Sequence, residues 1–399
     1  MNELVNIVRT AWRETRLATR RLIAETTLRP LTIQDHLKKY SLANLAPDTR
    51  AGVNVALLGF PQGMAYSLIA EIPVVHGIFC SVVAPIVAGL MASSRVTMIG
   101  PTNATAALIA STLAFTAGTA HSNSEALIML TIMIGLLLIV GAFFKVATLT
   151  QYVSRTVIIG YITGAALFII SKQLHNVLGV PKLDGAFFYN AVGNALYYLP
   201  NANQATLVVS LLTFCLLVAF RYGAPQLPGV AITLAIIATL AYFETAYFIP
   251  FSASGVEMLD AVSISEFTLT LPSADLDLFS QLLGGAFAIA FLCTIENTFM
   301  AKSLASRYGE TVDVNQEMLS LGTANTATGL LSGMPASGSL TRSALNADSG
   351  ATSPFAGITS GIVCLLVVLL LGTFVEYIPV ASLAVVVVVT AVTLIRPKD

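Results

Sequence analysis

Two charged side chains stand inside apolar stretches of this sequence, far from the ends of those stretches. Arg342 lies in the run SGMPASGSLTRSALN, and Glu296 lies in AFLCTIENTFMAKSLA. A charge in a membrane interior is costly, so such a side chain faces a cavity or a partner. We predict that Arg342 supplies the fixed positive charge of an anion site and grips the anion through two N–H donors. The alternative is an interfacial arginine whose charged end extends to lipid headgroups.

Glu296 has the chemistry of a proton carrier. Desolvation favours the protonated acid, whereas a nearby Arg342 would favour the carboxylate. A carboxyl balanced between these effects can take up a proton when an anion binds, and this would couple proton movement to anion movement. The alternative is a permanent salt bridge between Glu296 and a base such as Arg342, which would hold two helices together.

Gln62 and Tyr66 provide two more polar groups inside an apolar run, FPQGMAYS. They are four residues apart and therefore lie on the same face of a helix. Together they could line a polar pocket. Ordinary interhelical hydrogen bonds would explain them equally well.

Two glycine- and proline-interrupted segments occupy corresponding positions in two halves of the chain. They are IGPTNATA at 99–106 and GMPASGSLT at 333–341. Paired interrupted segments of this kind indicate an inverted-repeat transporter with its site between two broken helices. A helix that starts inside the membrane presents free N–H groups and partial positive charge, so two facing starts would bind an anion. Packing glycines and proline kinks are the alternative, but the position of Arg342 favours the anion site.

The composition requires elements that cross a membrane. The chain has 399 residues, of which 56% are hydrophobic and 10% are charged, against about a quarter charged in ordinary soluble domains. A chain with so few charges cannot cover a soluble surface, so we predict an all-α polytopic membrane protein. The cysteines and histidines show no ligand spacing, and we expect no metal, cofactor or nucleic-acid partner.

Hydrophobic runs of about 20 residues predict about twelve spans. The connections 174–204 and 249–278 are the longest polar segments, and the second is acidic and β-prone in VSISEFTLTL. The predicted spans lie near 49–69, 73–92, 102–119, 125–148, 153–173, 205–221, 227–248, 279–303, 314–333, 338–348, 353–375 and 378–396.

The N-terminal segment, residues 1–47, is basic. Its spacing fits an amphipathic helix on an anionic leaflet, or else a solvated tail. Either way the positive charge predicts a cytoplasmic N-terminus in the cell membrane. The segment holds eight of the 20 Lys and Arg residues: Arg9, Arg13, Arg16, Arg20, Arg21, Arg29, Lys38 and Lys39.

Three long blocks of the sequence resemble the SulP family of anion transporters. The block from FPQGMAYS to IGPTNAT is similar to the family's signature around its first three spans. The block from IENTF to LTRSALN resembles its eighth to tenth spans, and YIPVASLAVVVVVTAV resembles its twelfth. The resemblance covers the chain from about residue 30 to the end.

This resemblance implies a fold of seven plus seven spans in inverted repeat. A core domain, here about 49–148 and 279–375, would move against a gate domain, here about 153–248 and 378–396, with the anion between the starts of the third and tenth helices. The family's site positions fall on Gln62, Tyr66, Thr102, Asn103, Ala104, Thr105, Glu296, Ser339, Leu340, Thr341 and Arg342.

The end of the sequence departs from the family pattern. Family members continue with a thirteenth and fourteenth span and a cytoplasmic STAS domain, whereas this sequence stops at IRPKD after the twelfth. We expect either a shortened piece or a natural short form in which the anion site, built from core spans, survives. The resemblance also implies a homodimer, which we expect for the full-length protein.

The resemblance predicts a secondary transporter of a small anion, which could be sulfate, bicarbonate or a dicarboxylate. Sodium-dependent bicarbonate members carry an aspartate where this chain has IENTF, so Glu296 favours proton symport over sodium. An uncoupled exchanger or a channel on the same scaffold stays open. A nucleobase permease would need an acid where this chain has Arg342. An enzyme would need a nucleophile–base pair or a metal cluster, which the sequence does not show.

Overall fold

The computed structural model describes residues 28–115, 122–148, 155–181, 188–224, 226–247 and 254–394. Most of the basic N-terminal run, including Arg13 and Arg20, lies outside the described residues, so the amphipathic helix stays a prediction. The final IRPKD also lies outside them.

The described residues are mostly helical. The α-helices are α1 (Ile33–Lys39), α2 (Leu42–Ile69), α3 (Val74–Met91), α4 (Asn103–Ala114), α5 (Asn123–Phe143), α6 (Arg155–Leu178), α7 (Phe188–Tyr197), α8 (Gln204–Gly223), α9 (Gly229–Tyr247), α10 (Leu276–Tyr308), α11 (Val314–Leu330), α12 (Leu340–Asp348), α13 (Phe355–Leu371) and α14 (Val380–Leu394). Short 3₁₀ turns cover Leu199–Asn201, Ile264–Glu266 and Gly372–Tyr377.

Each of the predicted spans corresponds to a helix, because long apolar runs bury their backbone polar groups most cheaply in helices. Within the described residues, five segments are long and apolar enough to cross a membrane by length and composition: Val74–Met91, Asn123–Phe143, Gln204–Gly223, Leu276–Tyr308 and Phe355–Tyr377. At 33 residues, α10 is about 50 Å long and extends beyond a bilayer core. Side-chain caps fix where it begins, since Asp275 accepts hydrogen bonds from the first-turn N–H groups.

Two interrupted segments meet inside the bundle, as the sequence predicts. Strand β1 (Ile99–Gly100) precedes α4, and strand β2 (Ser337–Gly338) precedes α12. The strands pair antiparallel, with Ile99 opposite Gly338 and Gly100 opposite Ser337. The pairing satisfies backbone groups that an interrupted helix leaves open, and it brings the starts of the two short helices together.

The two long connections differ from what their composition suggests. The segment 174–204 contains helix α7, whose short run FYNAVGNALY is too polar to be recognised as a membrane helix. The β-prone run VSISEFTLTL forms no strand and includes the turn Ile264–Glu266. The residues just before this run lie beside the segment that leads into α14. Leu259 N donates to Ile378 O, and Val380 N donates to Glu257 O. Within the run, Val262 N donates to Gly372 O and Thr270 N donates to Leu330 O, so its two ends bond to different segments and no ladder forms.

Helix α11 packs closely against α5 because glycines face each other. A Cβ added to Gly322 would lie 2.7 Å from the backbone nitrogen of Ile139 and 2.9 Å from the carbonyl oxygen of Gly135. Small residues of this kind let two helix backbones approach each other. The contact fixes α11 relative to α5.

A buried aspartate holds α2 against the connection between α12 and α13. Asp48, 1% exposed, accepts hydrogen bonds from the backbone N–H groups of Thr352 (2.6 Å) and Ser353 (3.2 Å) and from both hydroxyls (3.0 and 2.5 Å). Asp48→Ala would leave these donors without their acceptor. We expect a loss of about 3 kcal/mol in the free energy of unfolding in detergent.

Thermal unfolding of the purified chain measures this loss, with Asp35→Ala as the control. The Asp35 side chain is 49% exposed and pairs with Arg29 at the surface. Its replacement should leave the unfolding midpoint unchanged, because exposed pairs contribute little. Equal midpoints for Asp48→Ala and the unaltered chain would contradict the role given to Asp48.

Candidate functional site

The candidate site lies where α4 and α12 begin. The Thr102 side chain accepts a hydrogen bond from Thr105 N at 3.4 Å, and the Ser339 side chain accepts one from Arg342 N at 3.4 Å. Each cap satisfies one first-turn N–H group, and Asn103 Oδ1 satisfies that of Ala104; the first N–H group of each helix, at Asn103 and Leu340, has no intrahelical acceptor. Two such starts beside each other create positive potential and present donors suited to an anion.

Arg342 turns inward from α12 toward the start of α4. The residue is 3% exposed, and its Nη2 donates to the carbonyl oxygen of Pro101 at 2.8 Å. Its stem passes Gly59 of α2, where an added Cβ would lie 3.6 Å from Arg342 Cδ. Among the described residues, no carboxylate lies within the 4.0 Å of a salt bridge to it. The guanidinium is therefore a buried positive charge that does not extend toward headgroups.

Glu296 reaches the same junction from α10. Its Oε2 accepts hydrogen bonds from Ser337 Oγ at 2.7 Å and from Thr102 Oγ1 at 3.5 Å. The residue is half-buried, and in the described part of the chain neither a lysine nor an arginine lies within 4.0 Å of its carboxyl. The structure therefore does not contain the permanent salt bridge that the sequence left open.

Arg342 and Glu296 lie beside two strand residues that face each other. Arg342 Nη2 lies beside Gly100, where an added Cβ would be 3.0 Å away, and Glu296 is bonded to Ser337. Gly100 and Ser337 are directly opposite in the pairing of β1 and β2. An anion at the guanidinium would thus repel a carboxylate at Glu296, and protonation of that carboxyl relieves the repulsion.

Helix α2 adds an amide and a phenol to this junction. Gln62 and Tyr66 are 5% and 7% exposed, respectively. They follow Gly59, which faces the Arg342 stem, by three and seven residues and so lie on the same face of the helix. Gln62 Oε1 is buried and has no hydrogen-bond partner among the described residues. The pair therefore faces the charged junction, where Nε2 of Gln62 is the amide group that can donate to an anion.

The other residues singled out from the sequence fall into two groups. Leu340 and Thr341, in the first turn of α12, are exposed and mark the open side of the junction. The remaining three belong to the first turn of α4: Thr105 Oγ1 donates to Thr102 O at 2.9 Å, Asn103 Oδ1 accepts from Ala104 N at 3.0 Å, and Ala104 is 5% exposed. Thr105, fully buried and bonded within its own turn, supports the helix start more than it faces a ligand.

Sequence reasoning missed Ser337 and Asn325. Ser337 gives Glu296 its shortest hydrogen bond, and the only signal was its place in the interrupted segment GMPASGSLT. Asn325 is fully buried on α11, and its amide bonds to both backbone groups of Ala336, at 2.8 and 3.0 Å. An amide inside an apolar span was the signal that could have identified it.

A cavity of about 550 Å³ lies away from this junction, beside the turn between α2 and α3. In it Lys172 Nζ lies 3.2 Å from Glu71 Oε1. None of the residues predicted to bind the anion lines it. The lining includes Glu71, Lys172, Gln173, Asn176, Thr206 and Glu257.

The lack of a side chain at Gly100 makes room for the guanidinium. A Cβ there would lie 3.0 Å from Nη2 and 3.2 Å from Cζ of Arg342, closer than most real Cβ contacts. Gly100→Ala should displace the guanidinium and weaken sulfate binding to the purified chain by about tenfold. Titration calorimetry with sulfate measures this effect.

Gly284→Ala is the matched control, since nothing lies within 4 Å of a Cβ added at Gly284. This variant should bind sulfate as the unaltered chain does. Unchanged affinity in Gly100→Ala would show that the guanidinium does not need its present position.

Comparison with known proteins gives a family and a fold. The sequence model of the sulfate permease family matches residues 45–399. A probable sulfate transporter of Mycobacterium tuberculosis is 29% identical over 360 residues, which cover 90% of this chain and 63% of that relative. The chain thus spans less than two thirds of this relative's length.

Two solved structures share the fold. SLC26A9 superposes with a TM-score of 0.82 at 19% identity, covering 92% of this chain and 60% of that one. The transmembrane domain of the cyanobacterial bicarbonate transporter BicA superposes with a TM-score of 0.81 at 19% identity, covering 90% of this chain and 92% of that domain. The helices and the paired short strands therefore belong to a known membrane-transporter fold.

Proposed function

The chain belongs to the sulfate permease family, and from this membership and the geometry of the junction we propose that it is a secondary active transporter of a small anion. The anion is sulfate, bicarbonate or a dicarboxylate, and it moves together with a proton. The observation that carries the proposal is the buried Arg342 between two helix starts, without a carboxylate partner among the described residues. An unpaired buried cation is costly, and a transported anion would offset that cost.

The anion is held by donors of three kinds. Arg342 has five N–H donors, of which one is used by Pro101. The first-turn N–H groups of α4 and α12 point the same way as their helix dipoles. The Tyr66 hydroxyl and the Gln62 amide complete the set from α2. Among the described residues Glu296 is the one acid bonded at this junction, so an anion fits this set better than a neutral or cationic substrate.

The position of Glu296 supports the proposal of proton coupling. Its partners are hydroxyls, which can bond to either the acid or the carboxylate. The bound anion and the carboxylate would share one small region, so occupancy of both without a proton is unfavourable. Binding the anion and binding the proton therefore assist each other, which is the thermodynamic requirement for symport.

Alternating access would move a core against a gate, with the core formed by α2–α5 and α10–α13 and the gate by α6–α9 and α14. The residues of the junction all belong to the proposed core, while α14 packs on α6 and α8. We further propose that the N-terminus is cytoplasmic in the cell membrane, and that the protein is a homodimer.

Two measurements test the proposal. Binding of labelled sulfate, bicarbonate and fumarate to the purified chain tests the anion site by itself. Uptake of the same anions into proteoliposomes with an inward proton gradient tests transport, with empty liposomes and a protonophore as controls. We expect one anion to accumulate above equilibrium only while the gradient lasts. Uptake that ignores the gradient would replace symport by an uncoupled exchanger or channel, and absence of both binding and uptake would contradict the proposal.

A further inference from the structure

We propose that Asn325 is a positioning residue. It holds Ser337 within hydrogen-bond distance of Glu296 and thereby sets the pH at which the transport site takes up a proton. The inference rests on the proposed function. Asn325 is fully buried on α11, and its side chain is turned to the backbone before β2. It therefore acts through other residues and does not itself contact the anion.

The Asn325 amide grips a single residue of the interrupted segment. Its Oδ1 accepts from Ala336 N at 2.8 Å, and its Nδ2 donates to Ala336 O at 3.0 Å. The same Nδ2 lies 2.9 Å from Leu321 O, which keeps the amide in its orientation on the helix. Ala336 O also receives the Cys293 thiol of α10 at 3.6 Å. The N–H and C=O groups of Ala336 are both hydrogen-bonded, so the backbone at Ala336 can neither rotate nor shift without losing hydrogen bonds.

Ser337 follows directly, so the direction of its side chain depends on where Ala336 is held. Its Oγ bonds to Glu296 at 2.7 Å, while the other partner, Thr102, is at 3.5 Å. A hydrogen bond weakens steeply with added distance or misalignment. A small displacement of Ala336 would thus remove the stronger of the two contacts at Glu296.

Helix α11 also holds the connection between α3 and β1, through residues in its first two turns. Glu317 Oε1 accepts from Ser93 N at 2.7 Å, Ser93 Oγ at 2.9 Å and Ser94 N at 2.9 Å. Ser320 Oγ donates to Ala88 O at 3.0 Å, in the last turn of α3. Helix α11 is packed against α5, and it contacts the chain both before β1 and before β2. One helix therefore helps to position both strands of the junction.

Asn325→Ala removes the grip on Ala336 while leaving Arg342, Glu296 and Ser337 in place. We expect the pH midpoint of proton-driven sulfate uptake to shift by about one unit, in the same direction and by the same amount as in Ser337→Ala. The double variant should shift no further, because both changes remove the same contact. Asn315→Ala, an amide lost from the same helix away from β2, is the matched control and should behave as the unaltered chain.

Hydrogen exchange of the Ala336 amide is the second readout, measured on the same proteins. It should speed up in Asn325→Ala and in the milder Asn325→Ser, which keeps the inference testable if one variant folds poorly. A pH midpoint unchanged in Asn325→Ala, or shifts that add in the double variant, would overturn the inference while leaving the proposed function intact. Failure of the proposed function shows differently, as absent uptake by the unaltered chain. In that case unchanged Ala336 exchange in both Asn325 variants would overturn the inference by itself.

Discussion

Replacing Arg342 by glutamine is expected to weaken anion binding to the purified chain by about 100-fold or more, equivalent to about 3 kcal/mol. The guanidinium is the one cation at the junction of α4 and α12 among the described residues, and it is already desolvated. Its loss removes attraction that the helix starts alone do not replace. Titration of labelled sulfate against the purified variant measures the effect.

Two further variants make this result specific. Arg342→Lys keeps the charge but lacks the planar fork that can bond to Pro101 and to an anion together, so we expect an intermediate affinity. Arg307→Gln removes an arginine whose side chain is 62% exposed, and it should bind as the unaltered chain does. Sulfate affinity retained in Arg342→Gln would contradict the site proposed here.

Replacing Glu296 by glutamine is expected to abolish gradient-driven accumulation while downhill exchange of the same anion continues. Glutamine resembles the protonated acid in size and charge, and its side chain can still accept the Ser337 hydrogen bond. The variant is therefore fixed in the form that tolerates the anion, and it has no proton to release. Parallel uptake and counterflow assays in proteoliposomes separate the two activities.

The control for this prediction is Glu257→Gln, an exposed carboxyl on the connection before α10. It should leave accumulation unchanged. Accumulation that persists in Glu296→Gln would remove the coupling role from this carboxyl. Loss of exchange as well as accumulation would show that Glu296 is needed to hold the junction together.

The sequence was sufficient for most of the helices, because an apolar run of span length has one favourable backbone conformation in lipid. The same logic fails for α7, whose ten residues are short and mixed in polarity. It also fails before α10, where the β-prone run bonds at its two ends to different segments and has no sheet to join. Local composition does not reveal which distant segment will lie alongside.

The interrupted segments and the two charges were also visible in the sequence, since Gly, Pro and charge are unusual inside spans. That Arg342 and Glu296 would be separate, with Arg342 beside Gly100 and Glu296 bonded to Ser337, was not visible. This separation depends on the register of Gly100 with Ser337, two residues from different halves of the chain. Asn325 was missed for the same reason, because its partner is known only once α11 and β2 are placed. The roles assigned to the site residues stay predictions.

The central claim is that one anion sits between the starts of α4 and α12. A structure of the chain determined with saturating selenate, a heavier analogue of sulfate, tests it most directly. We predict density within hydrogen-bond distance of the Arg342 guanidinium and of the first-turn N–H groups of both helices. Density at another place, such as the cavity beside Lys172, with the junction empty, would contradict the claim.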